Sequence, residues 1–452
     1  MSKVIKIKRG LNIPLVGEAE RVLIRLEKAK TYGVKPTDFP GLVPKLSVQL
    51  GDMVKAGTAL FHDKYRPDVV FTSPVSGEVV EIRRGDRRAI LEIVVKANEG
   101  EMEYHDFGAL DPKQLTRDKV ISQLLVSGTW PYIRQRPYGI IANPADTPKA
   151  IFISCFDTAP LAPDYDFAIQ GEEQVFQAGI DALSHLAAGK IHLGLNADYA
   201  PAATFAKAKG VDFHYFTGPH PAGNVGVQIH HIDPINKGEV VWVVNPQDVI
   251  IIGRLFLKGI YDASRVVALV GSEVLKPRYY KLISGAAVES IIDKNVNTEN
   301  DLRIISGNVL TGTRINRLDY LGFYDNLITV IPEGNKYELF GWIAPGINKH
   351  SASRTFFSKL LPGKRFRLDT NIHGGRRAFV LTGLYEKVLP MDIYPVHLIK
   401  SILANDIDKM EQLGIYEVVE EDMALCEYVC PSKTEFQEIL RKGIETMIKE
   451  FS

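Results

Sequence analysis

The chain has little cysteine, no surplus of either charge and no long apolar run, and each shortage excludes something. Three cysteines in 452 residues cannot form a disulfide framework, and such scarcity fits a reducing, cytoplasmic environment. Cys426 and Cys430 are neighbours in sequence, but on one helix face their Cβ atoms would stand roughly 5–6 Å apart, beyond the roughly 3.5–4.5 Å of a disulfide. They read as free thiols. Lys and Arg total 54, as do Asp and Glu, which removes a general pull on nucleic acid or an anionic membrane, so no nucleic-acid partner is expected. Apolar runs such as VVWVV at 240–244 and VIII at 249–252 are separated by Asn245, Pro246, Gln247 and Asp248, well short of the roughly 20 residues that cross a bilayer. The opening MSKVIKIKRGLNIPL mixes charge with apolar residues and lacks the apolar core of a signal peptide. Any membrane association is therefore expected to run through a partner.

Cofactor motifs are missing as well. Cys426, three residues, Cys430 and Pro431 repeat the second half of Cys-x2-Cys-x2-Cys-x3-Cys-Pro, in which four thiolates hold a cubane iron-sulfur cluster. The first half would fall at 420 and 423, where the chain has Glu420 and Met423. Two ligands cannot hold the cluster, and Cys155 is too remote in sequence to complete it. After the apolar run AIFISC at 150–155 comes FDTAPLAPD rather than G-x-G-x-x-G, so the backbone has no glycines with which to approach a pyrophosphate. G-x-x-x-x-G-K-[ST] is absent too.

What is there suggests several domains, since the chain exceeds the size one core usually supports. The fold class is multidomain α/β and α+β. Residues 1–110 read as a biotinyl/lipoyl-like β-sandwich, because VQLGDMVKAGTALF and SPVSGEVVEI are short strands punctuated by tight turns. Lys64 falls near the hairpin tip where such carriers bear their modified lysine, but its flanks, HDKYRP, lack the paired methionines of biotin carriers. A docking module is the expected use. Residues 111–258 read as a Rossmann-like parallel α/β domain, with AIFISC and IHLGL as strands without alternation and EEQVFQAGIDALSHLAAGK as a helix. Residues 259–375 read as a small mixed, β-grasp-like α+β domain with an extension. Residues 376–452 read as a C-terminal helical domain, in which LIKSILANDIDKMEQLG forms one helix ending at Gly414 and Thr434 with Gln437 makes a capping box.

Two stretches carry the candidate binding residues. GTWPYIRQRPYG at 128–139 combines Trp130, Tyr132, Arg134 and Arg136, aromatic faces and guanidinium groups that suit a flat polar-headed ligand or a protein interface. A surface loop whose aromatics cover a sheet edge explains the same residues. GPHPAGNVGVQIHHIDPINKG at 218–238 is dense in glycine and proline and supplies His220, Asn224, His230 and His231. Read as a strand, His230 and His231 face opposite ways, and no cysteine or further ligand completes a tetrahedral set, so no metal is expected. A ligand or interaction loop and a purely structural loop both remain open. No catalytic acid, base or nucleophile is assigned.

Several long strings in this order resemble the A-subunit family of the bacterial Na+-translocating NADH:quinone (ubiquinone) reductases: KIKRGLNIPL, GPHPAGNVGVQIHHIDPINKG, KPRYYKLISGA, EKVLPMDIYP and LGIYEVVEEDMALCEYVCPSK. The likeness spans essentially the whole chain. It implies a peripheral subunit on the cytoplasmic side of the bacterial inner membrane, docked on integral membrane subunits of a complex that oxidises NADH, reduces ubiquinone or menaquinone and drives Na+ outward. The family is associated with quinone binding, while flavins, iron-sulfur centres and the NADH site would belong to partner subunits. No tightly bound cofactor is expected in this chain. Relatives of the same architecture hold flavin mononucleotide in a glycine-rich loop; here WPYIRQRPYG takes that place, and Cys426 and Cys430 are expected as relics on one helix face. A pure assembly module and a stand-alone NADH- or flavin-dependent oxidoreductase are the alternatives.

Overall fold

Residues 31–97 form two small antiparallel sheets packed face to face. Thr31–Val34, Ile90–Ala97, Gly77–Arg84 and Met53–Val54 pair in that order, opposite Pro44–Leu46, Ala59–Asp63 and Val70–Thr72. Leu60, Phe61, Phe71, Val79, Ile93 and Val95 fill the space between them. Lys64 follows the strand Ala59–Asp63, its ammonium 5.6 Å from the centre of the Tyr65 ring. The computed structural model describes residues 4–299, 301–335, 338, 340–341 and 343–451.

The next sheet has the order Val4–Lys6, Val211–Thr217, Ile191–Asn196, Ile151–Ser154, Val241–Val243, Arg134–Arg136, Ile140–Ile141. The first five strands run parallel, Arg134–Arg136 runs against them and Ile140–Ile141 turns back again. Its strands lack alternation because both faces are covered. Ile151, Ile153, Leu193 and Trp242 belong to one core with Phe176, Ile180 and Val249, whereas Phe152, Val241 and Val243 pack with Ile229 of the helix Val225–Ile232. The helices Glu173–Ser184 and Pro246–Lys258 pack together on the first face. The second starts with Asn245, whose side chain accepts the Gln247 N–H, and stops at Gly259, whose φ of 69° suits glycine.

A third sheet orders Thr313–Ile315, Leu302–Ser306, Leu327–Pro332, Ser264–Val270, Arg278–Ile283 and Glu20–Arg25. Residues grouped on sequence order with the sandwich therefore serve elsewhere: Val4–Lys6 edges the parallel sheet and Glu20–Arg25 edges this one. Between them the chain is tied to the helical end and to the 218–223 turn, Gly10 N–H donating to the Lys387 carbonyl and Leu11 N–H to that of His220. A Cβ on Gly10 would stand 2.1 Å from the His220 oxygen. That contact requires glycine.

The C-terminal helices are Pro395–Leu403, Ile407–Gln412, Glu420–Val429 and Phe436–Phe451. Three expectations need correction here. LIKSILANDIDKMEQLG is two helices, because Asn405 turns to φ 55° and Asp406 caps the second through the Lys409 N–H. Residues 376–394 hold only the 3-10 turn Tyr385–Lys387. The Gln437 N–H goes to the Glu427 carboxylate rather than into a box with Thr434.

The crossing of Glu173–Ser184 and Pro246–Lys258 depends on two glycines. A Cβ on Gly253 would lie 1.9 Å from the Val175 carbonyl oxygen, and one on Gly179 would lie 2.2 Å from that of Val249. Both obstacles are backbone, so Gly253→Ala must push the helices apart. We expect it to destabilise the chain by about 1–3 kcal/mol, read as a lower urea midpoint, whereas Gly100→Ala, with nothing within 4 Å and an ordinary φ, leaves the packing intact.

Candidate functional site

Parallel strands point their carboxyl ends toward one edge of the sheet, and ligands settle in the crevice outside those ends where strand order changes. Here Ile151–Ser154 and Val241–Val243 end beside the reversed strand Arg134–Arg136. Two adjoining cavities of about 120 and 660 Å³ open at this place and share Arg134, Val225, Val243, Thr311 and Glu421 as walls. Phe156, Asp157, Tyr165, His220, Asn224 and Leu310 complete the smaller one.

Each polar wall has a defined state. Arg134 starts its strand opposite Val243 and lays its guanidinium 4.8 Å from the centre of the Tyr324 ring; among the described residues no carboxylate stands within ion-pair distance of it. The Thr158 hydroxyl accepts the Gly223 N–H and shares a second hydrogen bond with Nδ1 of His220, 3.1 Å away. Burial pushes the His220 pKa down to about 4, so the ring is neutral at neutral pH. Asn224 sits at the start of Val225–Ile232 and donates to the Glu421 carbonyl at 3.1 Å. Burial pushes the Asp157 carboxyl up, and the nearby Glu421 adds to the shift against hydrogen bonds from the backbone of Ala159 and Thr158. The Tyr165 hydroxyl accepts from Asn245 at 2.8 Å.

Arg136 holds the wall together. Its guanidinium is buried, donates to Asp422 at 2.6 Å and pairs with Glu421. Asp422 also accepts the Val419 N–H at 3.0 Å, across the start of Glu420–Val429. Gly226 passes so near that a Cβ there would stand 2.4 Å from the Arg136 guanidinium and 2.5 Å from Asp422 Oδ1.

The sequence candidates divide on this geometry. Arg134, Arg136, His220 and Asn224 line the cavities. Trp130 and Tyr132 do not: they are 0% and 1% exposed, Trp130 donating to the Ala142 carbonyl and Tyr132 sharing a hydrogen bond with Tyr261. His230 and His231 lie on the helix Val225–Ile232, not on a strand. His230 donates from Nδ1 to Glu417 and accepts the Asp392 N–H on Nε2, and His231 donates to the Val227 carbonyl. His230 belongs to a domain contact, whereas the His231 bond stays within its own helix. Asp157, Tyr165, Tyr324 and the acidic run Glu420, Glu421, Asp422 were not foreseen; the acidic run opening a helix was the one visible signal, but nothing in the sequence pairs it with Arg136.

The residues present do not fit a cubane cluster. Trp130, in the segment expected at the place of a glycine-rich loop, is buried core. Among the described residues no group of three or more His, Cys, Asp or Glu is arranged to hold a metal. Cys426 lies in the helix Glu420–Val429 and Cys430 caps its end. Tyr385, Phe436 and Met423 fill the surrounding space, the Tyr385 hydroxyl reaching Cys430 Sγ at 3.2 Å. Where a cubane would need room there are packed side chains.

A barrel-sandwich module, a two-faced parallel sheet with a cleft at its strand ends, and a helical domain clamped to that cleft define a multidomain protein of mixed α/β architecture. Comparison gives the same class a name. Three domain families match: the NqrA N-terminal barrel-sandwich hybrid domain over residues 5–98, the NqrA second alpha/beta domain over 115–261 and the NQRA C-terminal domain over 266–317. Over 99% of its length the chain is 42% identical to the whole of the Na(+)-translocating NADH-quinone reductase component NqrA from Neisseria meningitidis serogroup A. It is 39% and 38% identical, again over 99%, to the proteins of the same name in Pasteurella multocida and Photorhabdus laumondii. It belongs to the NqrA family.

The two neighbouring arginines predict opposite mutational behaviour. Arg136→Met leaves Asp422 and Glu421 without their counter-charge and is expected to cost about 3–5 kcal/mol. Arg134→Met gives up only a ring contact, worth about 1 kcal/mol. Urea denaturation of the two variants beside the parent chain measures the difference.

Proposed function

We propose that this chain is the NqrA component of a Na+-translocating NADH:quinone reductase and that it receives the quinone head group in the cleft at the strand ends. The observation behind this reading is the cleft's mixture of walls. Phe156, Val225, Val243, Val244 and Leu310 offer apolar contact, while Arg134 and Nε2 of His220 are polar groups without protein hydrogen-bond partners among the described residues. A quinone is a flat apolar ring with two carbonyl acceptors, and pockets for such ligands pair apolar walls with a few placed polar groups. Arg134 would donate to one carbonyl, at the seam of the two cavities. His220, neutral in the working pH range, would orient the ring without giving up a proton.

This reading assigns NADH oxidation, the flavins, the iron-sulfur centres and the sodium path to partner subunits. No helix among the described residues is long and apolar enough to cross a membrane. The chain is read as peripheral, on the cytoplasmic side, docked to integral membrane subunits.

Titrating the full chain with a short-chain ubiquinone, followed by equilibrium dialysis, tests the site. Saturable binding is expected, weakened about 10-fold or more by Arg134→Gln, the loss of one charge-assisted hydrogen bond. Absence of saturable binding, or the same affinity in the variant, would leave an assembly role as the better reading.

A further inference from the structure

The chain's neutrality hides a segregated patch. Residues 340–367 contain Lys349, Arg354, Lys359, Lys364, Arg365 and Arg367 and no aspartate or glutamate. In the described part of this stretch the regular structure is one 3-10 turn, Phe357–Leu360. Phe340, Ile343, Ile347, Phe357, Leu360 and Leu361 are all exposed, Leu360 by 68% and Phe340 by 63%. Scattered exposed leucines need no explanation, but large apolar tips concentrated in one short segment do.

The segment is shaped rather than loose. Phe357 N–H donates to the Pro345 carbonyl at 3.0 Å, the Ser358 hydroxyl to that of Lys349 at 2.6 Å and the Lys364 ammonium to that of Ile347 at 2.7 Å. These bonds tie its two limbs into a lobe. The base is pinned separately: Phe366 is buried and donates to the Pro14 carbonyl, Arg365 pairs with Glu18 and Arg367 grips Glu273 with two nitrogens. At the outer end, Arg354, Lys359 and Lys364 have no carboxylate within ion-pair distance among the described residues.

We propose that the 340–367 lobe contacts an anionic lipid bilayer directly, inserting Phe357, Leu360 and Leu361 at the headgroup boundary while Arg354, Lys359 and Lys364 meet lipid phosphates. Apolar tips interleaved with basic stems fit such a surface, because Lys and Arg bury their methylenes and keep their charge at headgroup level. No acidic side chain lies within 340–367 to repel phosphate, and the neighbouring Glu338 carboxylate is paired with Lys349. A protein partner of opposite charge is the less suitable occupant, since the apolar residues stand out on a lobe and do not line a groove. This inference is independent of the quinone cleft.

Co-sedimentation of the full chain with vesicles tests it. Binding to mixed phosphatidylcholine–phosphatidylglycerol vesicles is expected, with little to phosphatidylcholine alone and a decline as salt is raised. Arg354→Gln and Lys359→Gln should each weaken it about 5-fold, and together about 25-fold, the worth of one surface cation apiece. Leu360→Ser with Leu361→Ser should weaken it further. All four side chains are exposed, so unchanged circular dichroism and urea midpoints would show that folding is intact. Equal partition onto neutral and anionic vesicles, no partition onto either, or binding to poly-glutamate in place of vesicles would overturn the proposal.

Discussion

The cleft depends on one buried cation. Arg136 comes from the reversed strand Arg134–Arg136, Asp422 and Glu421 from the start of the helix Glu420–Val429, and Gly226 from the helix that covers the sheet. A guanidinium taken out of water costs several kcal/mol unless its partners are in register. The strand, the covering helix and the helical domain must therefore settle together or leave a charge stranded. Gly226 is part of that condition, because any side chain there would occupy the space of the ion pair. The second link, His230 between Glu417 and the Asp392 N–H, ties the other end of the same helix to the same domain. Both walls of the cleft are thus held by polar contacts whose loss is expensive, while the cleft's own donors stay free.

How much of this could be read in advance follows from the range of the interactions. The sandwich and the strands of the parallel sheet were legible because turns and unbroken apolar runs are local signals. The helix Val225–Ile232 was not, since its histidines follow a glycine- and proline-rich turn and the whole stretch looks like loop. Yet Val225, Ile229 and Ile232 recur at helical spacing and pack on Phe152 and Val243. Trp130 and Tyr132 looked like surface anchors beside arginines, but Trp130–Tyr132 is a 3-10 turn that swings both rings into the core. Residues 4–25 were harder still. Short strands of alternating charge and apolar character fit the edge of any sheet, and which edge they take is decided by partners about 200 residues and more away, at 211–217 and 278–283.

The half-motif at the helical end shows the same competition between local pattern and packing. The two sulfurs have different surroundings. Burial pushes the Cys426 thiol up, beside the Tyr385 carbonyl and Glu386. Burial acts on Cys430 as well, but hydrogen bonds from the Tyr385 hydroxyl and from Thr434 and Ser432 outweigh it and bring that thiol below its ordinary range. Tyr385, stacked among Phe379 and Phe436, spends its hydroxyl on Cys430. The aromatic cluster serves as the core of this domain in the place where a cubane would otherwise have organised it.

Net charge is the composition figure that most misleads about this chain. A balance of 54 against 54 suggested indifference to anionic surfaces, but electrostatic attraction is felt over roughly 8–10 Å at physiological ionic strength, so it reports local and not total charge. Six basic residues fall in 340–367 without an acid, which leaves the rest of the chain with 48 basic and 54 acidic residues. The acidic remainder includes Glu420, Glu421 and Asp422, spent internally on Arg136 and Arg441. Neutrality here is the sum of an acid-rich body, with part of its charge consumed by its own arginines, and a basic lobe whose outer cations are left for something else. Under the proposed membrane contact, Arg354, Lys359 and Lys364 would meet the anionic surface while the acid-rich body is turned away from it, an orientation set by charge.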